Sequence, residues 1–377
     1  MISAVIFFLG GLALLLKGSD LFVDSSVRIA KYAGISEVVI GLTLVAVGTS
    51  LPELATSVTA AYYGNTGLAV GNVVGSNIAN MGLILGICSF IAVLKLGEEV
   101  FYRDGFIMLG ITLIFYWFAS DGVISPLNGF VLLAVFGLYI SYLFQAKPKF
   151  KNILRLNEFI YLNIPVERIF ELGFYKKIVE KGLDSIKHRE LVDRKLGLGL
   201  PESRIKKGFN GATYRRILVK YEEKLRRQTL KEVFCIIGGI VGIYFGSKYM
   251  ISGAVDIASS LGIPENIVGF TLIAVGTSLP ELFVSITSVK KGFGNIILGN
   301  VIGSNIANLS LVVGVSSFVS PIIIPETSIS VTIPLMIILS FVTVLFIRSG
   351  WQVRRREGIF FLLSYASIII WTLLRLR

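Results

Sequence analysis

The stretch "VAVGTSLPEL", residues 45–54, lies in an apolar run that otherwise reads as a membrane-spanning helix. It places a proline, two hydroxyls and a glutamate where such a helix is normally featureless. Nine of its letters return as "AVGTSLPEL" at 274–282. Glu53 and Glu281 are 228 positions apart, and the same offset aligns Gly10 with Gly238, Gly18 with Gly246, Gly71 with Gly299 and Asn80 with Asn308. Across 41–86 and 269–314, 26 of 46 positions are identical without a gap, so the chain contains an internal duplication.

The motif carries its own chemistry. Pro52 has no N–H, so the carbonyl of Gly48 loses its helical partner and the turn is pushed open; Pro280 does the same to Gly276. Opened carbonyls in a membrane persist where they line a cavity or are satisfied again. The carbonyls around Ala46–Thr49 and Ala274–Thr277 are therefore candidate cation ligands, with the hydroxyls of Thr49, Ser50, Thr277 and Ser278 beside them. An ionised glutamate at mid-membrane costs at least ~2.5–3.5 kcal/mol unless it meets water, a cation or a proton. Two symmetric glutamates neutralise one divalent ion. Oxygen-only ligands suit a hard, flexibly coordinated cation such as Ca²⁺ better than Mg²⁺. Thiolate or imidazole metals do not fit, because neither His nor paired Cys accompanies the motif.

The rest of the chain agrees with a membrane protein. Of 377 residues, 54% are hydrophobic and 16% charged, and the mean hydropathy is +0.77, far outside the soluble range. The apolar runs predict about ten spans, near 2–31, 36–61, 68–93, 104–119, 126–145, 232–259, 265–289, 295–319, 329–347 and 358–375. The first lacks a basic flank and a cleavage site, so it reads as a span rather than a signal peptide. Cys88 and Cys235 lie in apolar segments and read as two thiols. His188, the only histidine, falls in the polar centre, which excludes histidine chemistry in the membrane.

Charge sets the organisation. Residues 147–231 hold 22 Lys and Arg against 10 Asp and Glu, which accounts for the whole net charge of +12. This segment divides the chain into a first half, 1–145, a basic insert, 146–231, and a second half, 232–377. Arg28, Lys31, Lys95, Arg103, Lys290, Lys291, Arg348 and Arg354–Arg356 fall on the same side as the insert, whereas "YYGNTG", "SDGVIS" and "SPIIIPETS" contain no Lys or Arg. The positive-inside rule puts the basic side in the cytoplasm and both termini outside. "AAYYGNTG" after the first motif is then outside and "SVKKGFGN" after the second inside, so the copies are inverted. The expected fold is an all-α polytopic membrane protein with about ten transmembrane helices in two inverted five-helix repeats. Inverted repeats with interrupted helices mark secondary transporters with a site near the bilayer midplane.

A second block follows each motif: "GNVVGSNIAN" at 71–80 and "GNVIGSNIAN" at 299–308. Gly71 with Gly75, and Gly299 with Gly303, have the spacing of close helix packing. Ser76 and Asn80 share a helix face, as do Ser304 and Asn308, and packing would bring those faces to the glutamates. Asn72, Asn77, Asn300 and Asn305 fall on other faces and read as interhelical hydrogen-bonding residues. Lys17 with Asp20, three apart, is placed to snorkel or pair.

These doubled blocks resemble the cation/Ca²⁺ exchanger superfamily, nearest to the prokaryotic members of its sodium/calcium exchanger branch. The proton/calcium branch usually has an acidic residue inside the second block, where this chain reads Gly-Ser-Asn. The resemblance implies that Glu53 and Glu281 ligate Ca²⁺, with the carbonyls of Thr49 and Thr277. It implies sodium sites on the same glutamates, the hydroxyls of Ser76 and Ser304 and the carbonyls of Ala46 and Ala274. Asn80 and Asn308 then line the centre, some members having aspartate at the latter position, and Ser50 and Ser278 match pore-lining hydroxyls. Ca²⁺ and Na⁺ are thus expected as transported ions, without an organic cofactor or enzymatic activity. Antiport by alternating access is implied, with 2–31 and 232–259 sliding as a gate. A H⁺/Ca²⁺ antiporter and a cation channel are the alternatives. The insert, 147–231, reads as a solvated helical domain, a contact for anionic lipid headgroups or a partner site. It carries no nucleic-acid motif.

Overall fold

The apolar runs are helices in the computed structural model, which describes residues 2–33, 36–95, 98, 101–145, 211–260, 276–348 and 351–375. Helix α1 (Ile2–Ala33) leads to α2 (Glu37–Ile40), whose N-cap Ser36 accepts the Val39 N–H at 3.3 Å. A π-helical turn, Gly41–Val45, carries α2 into α3 (Ala46–Thr49). There the helix breaks. Ser50 leaves helical geometry (φ −81°, ψ 6°), and α4 (Leu51–Tyr62) sets off at 43°. Pro52 lies in the first turn of α4, where its missing N–H leaves no extra orphan. Helix α5 (Thr66–Ala79), a π-helical turn Asn80–Ile84 and α6 (Leu85–Ile91) form one long span. Strand β1 (Leu94–Lys95), a π turn Phe101–Gly105, α7 (Phe106–Ser120), β2 (Val123–Ile124) and α8 (Pro126–Gln145) complete the first half.

The second half repeats this order. Helix α9 (Gly211–Ser260) is 50 residues long and enters the segment that sequence assigns to the basic insert. The remainder of that segment, 146–210, with His188, lies outside the described residues, as does 261–275 with Ala274. At the second motif Ser278 takes the same broken geometry (φ −87°, ψ 3°), and α10 (Leu279–Lys290) starts with Pro280 in its first turn. Helix α11 (Gly294–Ala307), the π turn Asn308–Val312 and α12 (Val313–Val319) match α5 to α6 residue for residue at the 228 offset. Strand β3 (Ile322–Ile323), a π turn Ser328–Thr332, α13 (Ile333–Arg348), β4 (Gln352–Val353) and α14 (Arg355–Arg375) follow. A π turn carries one extra residue per turn, and such turns concentrate at functional sites.

Among the described residues six helices are long and apolar enough to cross a membrane, and a seventh if the broken pair 37–62 is one span. Helix α7 has 15 residues, about 23 Å of rise, and reaches the ~30 Å of a hydrocarbon core together with the π turn before it. Burial sorts the spans. The segment Gly294–Val319 is 94% buried and Thr66–Ile91 is 72% buried, so these are the centre. Ile2–Ala30 is only 28% buried and 227–257 only 33%, so α1 and α9 lie against the periphery and present Ile2, Ile6, Phe234 and Ile237 outward. An apolar outer face of this kind is lipid-facing surface.

Helices α1 and α9 meet through glycine. A Cβ added at Gly11 would lie 2.3 Å from the Met250 N, one at Gly18 2.8 Å from the Ile243 N, and one at Gly246 2.5 Å from the Leu15 N. Only glycine lets the two backbones approach this closely. The same device joins the centre to the first break: Gly299 meets the Val38 carbonyl and Gly41, and Gly303 meets Ala46 and Leu42. The corresponding partners of Gly71 and Gly75, 266–274, fall outside the described residues.

Two short antiparallel pairs tie the halves together. Leu94 of β1 pairs with Val353 of β4, and Val123 of β2 with Ile323 of β3. The 228 offset carries β1 onto β3 and Ile124 onto Gln352. Each pairing therefore joins one half to the other half's non-equivalent strand.

Candidate cation site

Both motif glutamates stand in the first turn of a helix that begins at a break, Glu53 in α4 and Glu281 in α10. A carboxylate there meets the positive end of the helix dipole. Both are buried, at 0% and 1% exposure.

Hydroxyls link them across the halves. Ser50 Oγ donates to Glu281 Oε1 at 3.1 Å. Ser76 Oγ of α5 is 3.4 Å from Glu53 Oε1, to which it donates, and 3.3 Å from Thr277 Oγ1. The other carboxylate oxygens, Glu53 Oε2 and Glu281 Oε2, are buried without a hydrogen-bond partner among the described residues. So are Ser278 Oγ, Asn80 Oδ1 and both amide atoms of Asn308. Buried polar atoms are normally paired, so this concentration of unpaired oxygens at paired helix breaks marks a place built for something that accepts them.

The candidates from sequence divide among three groups. Glu53, Glu281, Ser50, Ser76 and Thr277 form the network just described. Thr49 and Ser304 form a second one. Thr49 Oγ1 lies 3.3 Å from the Ala46 carbonyl and 3.2 Å from Asn300 Oδ1; Ser304 Oγ lies 3.5 and 3.4 Å from the same two atoms. Ala46 keeps a backbone partner, the Ser50 N–H at 3.0 Å, and the Thr49 and Ser304 hydroxyls contend for its second lone pair. Asn80 and Asn308 open the two π turns, both fully buried, and Asn80 Nδ2 donates to Asn305 Oδ1 at 3.1 Å. Ala274 lies outside the described residues.

Interhelical bonding by the other asparagines holds for three of the four. Asn72 Nδ2 donates to Ser57 Oγ at 2.9 Å and to the Glu53 carbonyl at 3.1 Å; Asn300 Nδ2 donates to Ser285 Oγ at 3.1 Å. Asn305 Nδ2 faces Met108 Sδ at 3.7 Å. Asn77 is buried, and both its amide atoms are unpaired among the described residues. Ser57 and Ser285 escaped notice in the sequence, although they too are 228 apart. The pairing of Lys17 with Asp20 does not occur: Lys17 is exposed, and Asp20 with Asp24 binds Lys291 at 3.0 and 2.9 Å.

Among the described residues no group of three or more His, Cys, Asp or Glu gathers. Two carboxylates with hydroxyl, amide and backbone oxygens is a hard-cation donor set, and six to eight such oxygens suit Ca²⁺. Fold and site together define a helical, polytopic membrane protein that buries two acidic side chains among neutral oxygens.

Comparison with known proteins places it. A family profile described as sodium/calcium exchanger protein matches residues 3–145 and 231–374. The chain is 36% identical over 360 residues to the sodium/calcium exchanger MaX1 of Methanosarcina acetivorans, covering 96% of this chain and 95% of that one. It is 30% identical over 373 residues to an uncharacterised membrane protein, MJ0091, of Methanocaldococcus jannaschii, covering 98% of each. The solved structure of the sodium-calcium exchanger NCX_Mj, soaked with Na⁺ and Ca²⁺, superposes with a TM-score of 0.72 at 29% identity over 98% of both chains. The chain belongs to the sodium/calcium exchanger family.

Proposed function

We propose that this chain is a secondary active antiporter that exchanges Na⁺ for Ca²⁺ across the membrane, with Glu53 and Glu281 as the shared ligands. The observation that carries the site assignment is the pair of carboxylate oxygens, Glu53 Oε2 and Glu281 Oε2, buried without a partner among the described residues and accompanied by buried hydroxyls and amides. One Ca²⁺ balances both charges, and so do sodium ions spread over the same oxygens. Because the carboxylates are shared, the two cargoes exclude each other, and that exclusion couples their movements. Around the glutamates, the proposed ligands are Thr49, Thr277, Ser50, Ser278, Ser76, Ser304, Asn80, Asn308 and the carbonyls of Ala46 and Ala274.

The architecture we assign is ten spans in two inverted five-helix repeats, 1–145 and 232–377, separated by the basic segment 146–231. The equal broken geometries at Ser50 and Ser278, the matched π turns and the crossed strand pairs support it. The short-loop charge asymmetry supports a cytoplasmic basic side and termini outside. Helices α1 and α9 form the gate. They are peripheral, joined by glycine, and touch the core at the breaks: a Cβ at Gly48 would meet Phe22 of α1 at 3.0 Å, and one at Gly276 would meet Ile251 of α9 at 2.7 Å.

Ca²⁺ binding to the purified protein tests the shared site. Rising Na⁺ should displace Ca²⁺ with a Hill coefficient above one. Ca²⁺ affinity that ignores Na⁺ would reject shared carboxylates.

A further inference from the structure

We infer that Asn300, and Asn72 at the equivalent place in the first half, are positioning residues that take the hydrogens of the site hydroxyls and so turn their lone pairs toward the cation. This rests on the exchange reading above. A hydroxyl carries one hydrogen and two lone pairs. It ligates a cation only when its hydrogen points elsewhere, so a hydroxyl-lined site needs an acceptor behind it.

Asn300 supplies that acceptor. It is fully buried, and its Oδ1 lies 3.2 Å from Thr49 Oγ1 and 3.4 Å from Ser304 Oγ, one hydroxyl from each half. Its Nδ2 donates to Ser285 Oγ at 3.1 Å, which fixes which end of the amide faces the site. The competing acceptors are the Ala46 carbonyl, 3.3 Å from Thr49 Oγ1 and 3.5 Å from Ser304 Oγ, and, for Thr49, the Glu281 carboxylate. Moving both hydrogens to Asn300 releases that carbonyl as well as both hydroxyls.

Asn72 has the same donor arm, to Ser57 Oγ at 2.9 Å, braced by a second bond to the Glu53 carbonyl. Its Oδ1 is buried and accepts from nothing among the described residues. The hydroxyl equivalent to that of Ser304 is Ser76 Oγ, which points instead to Glu53 Oε1. The two halves thus show two resting places for a site hydrogen: on the amide behind the site, and on the carboxylate in front of it. A cation at Glu53 removes the second place and leaves Asn72 Oδ1 as the first.

The test is a double-mutant cycle in proteoliposomes, reading half-saturating Ca²⁺ and Na⁺ concentrations. Asn300→Ala should raise them about tenfold, the worth of one to two buried hydrogen bonds. In a Thr49→Val, Ser304→Ala background the same change should shift them less than about twofold, because the hydrogens it parks are gone. An equal shift in both backgrounds, or none in either, overturns the role. Ser285→Ala, which frees the amide to flip, should raise half-saturation about threefold and covers the case in which Asn300→Ala does not fold; an unchanged value again overturns it. Wild-type protein without Na⁺-driven Ca²⁺ uptake rejects the exchange reading instead. Ca²⁺-induced thermal stabilisation of the same variants then carries the comparison without transport.

Discussion

Ser50 donates its hydroxyl to Glu281 across 231 positions of sequence, at 3.1 Å. The donor sits at the break of one motif and the acceptor one turn past the break of the other. The bond therefore joins the break of one half to the glutamate of the other.

Glu53→Gln and Glu281→Gln should each reduce Ca²⁺ transport at least about a hundredfold, because each removes half the charge that balances the ion. Both variants should stay folded, since the amide keeps the shape and relieves repulsion between two buried carboxylates. Uptake assays with size-exclusion profiles of the purified variants check this. Full activity in a monodisperse variant would contradict the site.

Gly246→Ala should slow exchange at least about tenfold, because its Cβ would stand 2.5 Å from backbone at Leu15 and force α1 and α9 apart. Overpacking of this kind costs about 1–3 kcal/mol. Gly10→Ala is the matched control: a Cβ there meets nothing within 4 Å and should leave the rate unchanged. Equal rates in both variants would remove the glycine contact from the gate.

Lys291 bridges Asp20 and Asp24 of α1 from the turn after α10. Partial burial lowers the pKa of its ammonium, but hydrogen bonds and attraction from Asp24 and Asp20 outweigh this and raise it above the ordinary lysine value. A raised folded pKa gives stabilisation that is complete below the unfolded value, ~10.4, and fades as pH rises through the folded one. Lys291→Met should therefore lower thermal stability by a constant amount, about 0.2–1 kcal/mol, from pH 7 to 9, and the difference should shrink only in strong alkali. A difference that disappears near neutrality would assign it to another group.

Cysteines placed at Tyr62 and Lys290 should label from opposite faces of oriented vesicles. Both residues are exposed at the ends of α4 and α10. Labelling from one face would contradict the inversion of the two halves.

The breaks were legible because Pro52, Glu53 and their copies violate an apolar pattern twice at one offset. A proline and a charge have local consequences that need no tertiary information. The π turns at Asn80 and Asn308 were not legible, since no propensity distinguishes them from continuing helix. Nor was the partner of Asp20: Lys17 is three residues away and Lys291 is 271 away, and only packing brings the latter near. The glycine contacts show the same limit. The offset aligns Gly10 with Gly238 and Gly11 with Gly239 alike, yet only Gly11 and Gly239 stand at the close approach, because the packing of α9 on α1 decides which of two adjacent glycines is needed. Three of the four asparagines bond as read, and Asn77 does not; the serine partners Ser57 and Ser285 lie 15 positions from their asparagines, marked only by the 228 repeat.

Radiocalcium uptake into proteoliposomes loaded with Na⁺ and diluted into Na⁺-free buffer tests the central claim most directly, with a pH gradient alone as the parallel arm. Uptake driven by internal Na⁺, absent under the pH gradient and lost in Glu281→Gln, is the predicted result. Uptake that follows only the pH gradient, or that proceeds with neither gradient, would contradict Na⁺/Ca²⁺ exchange through these glutamates.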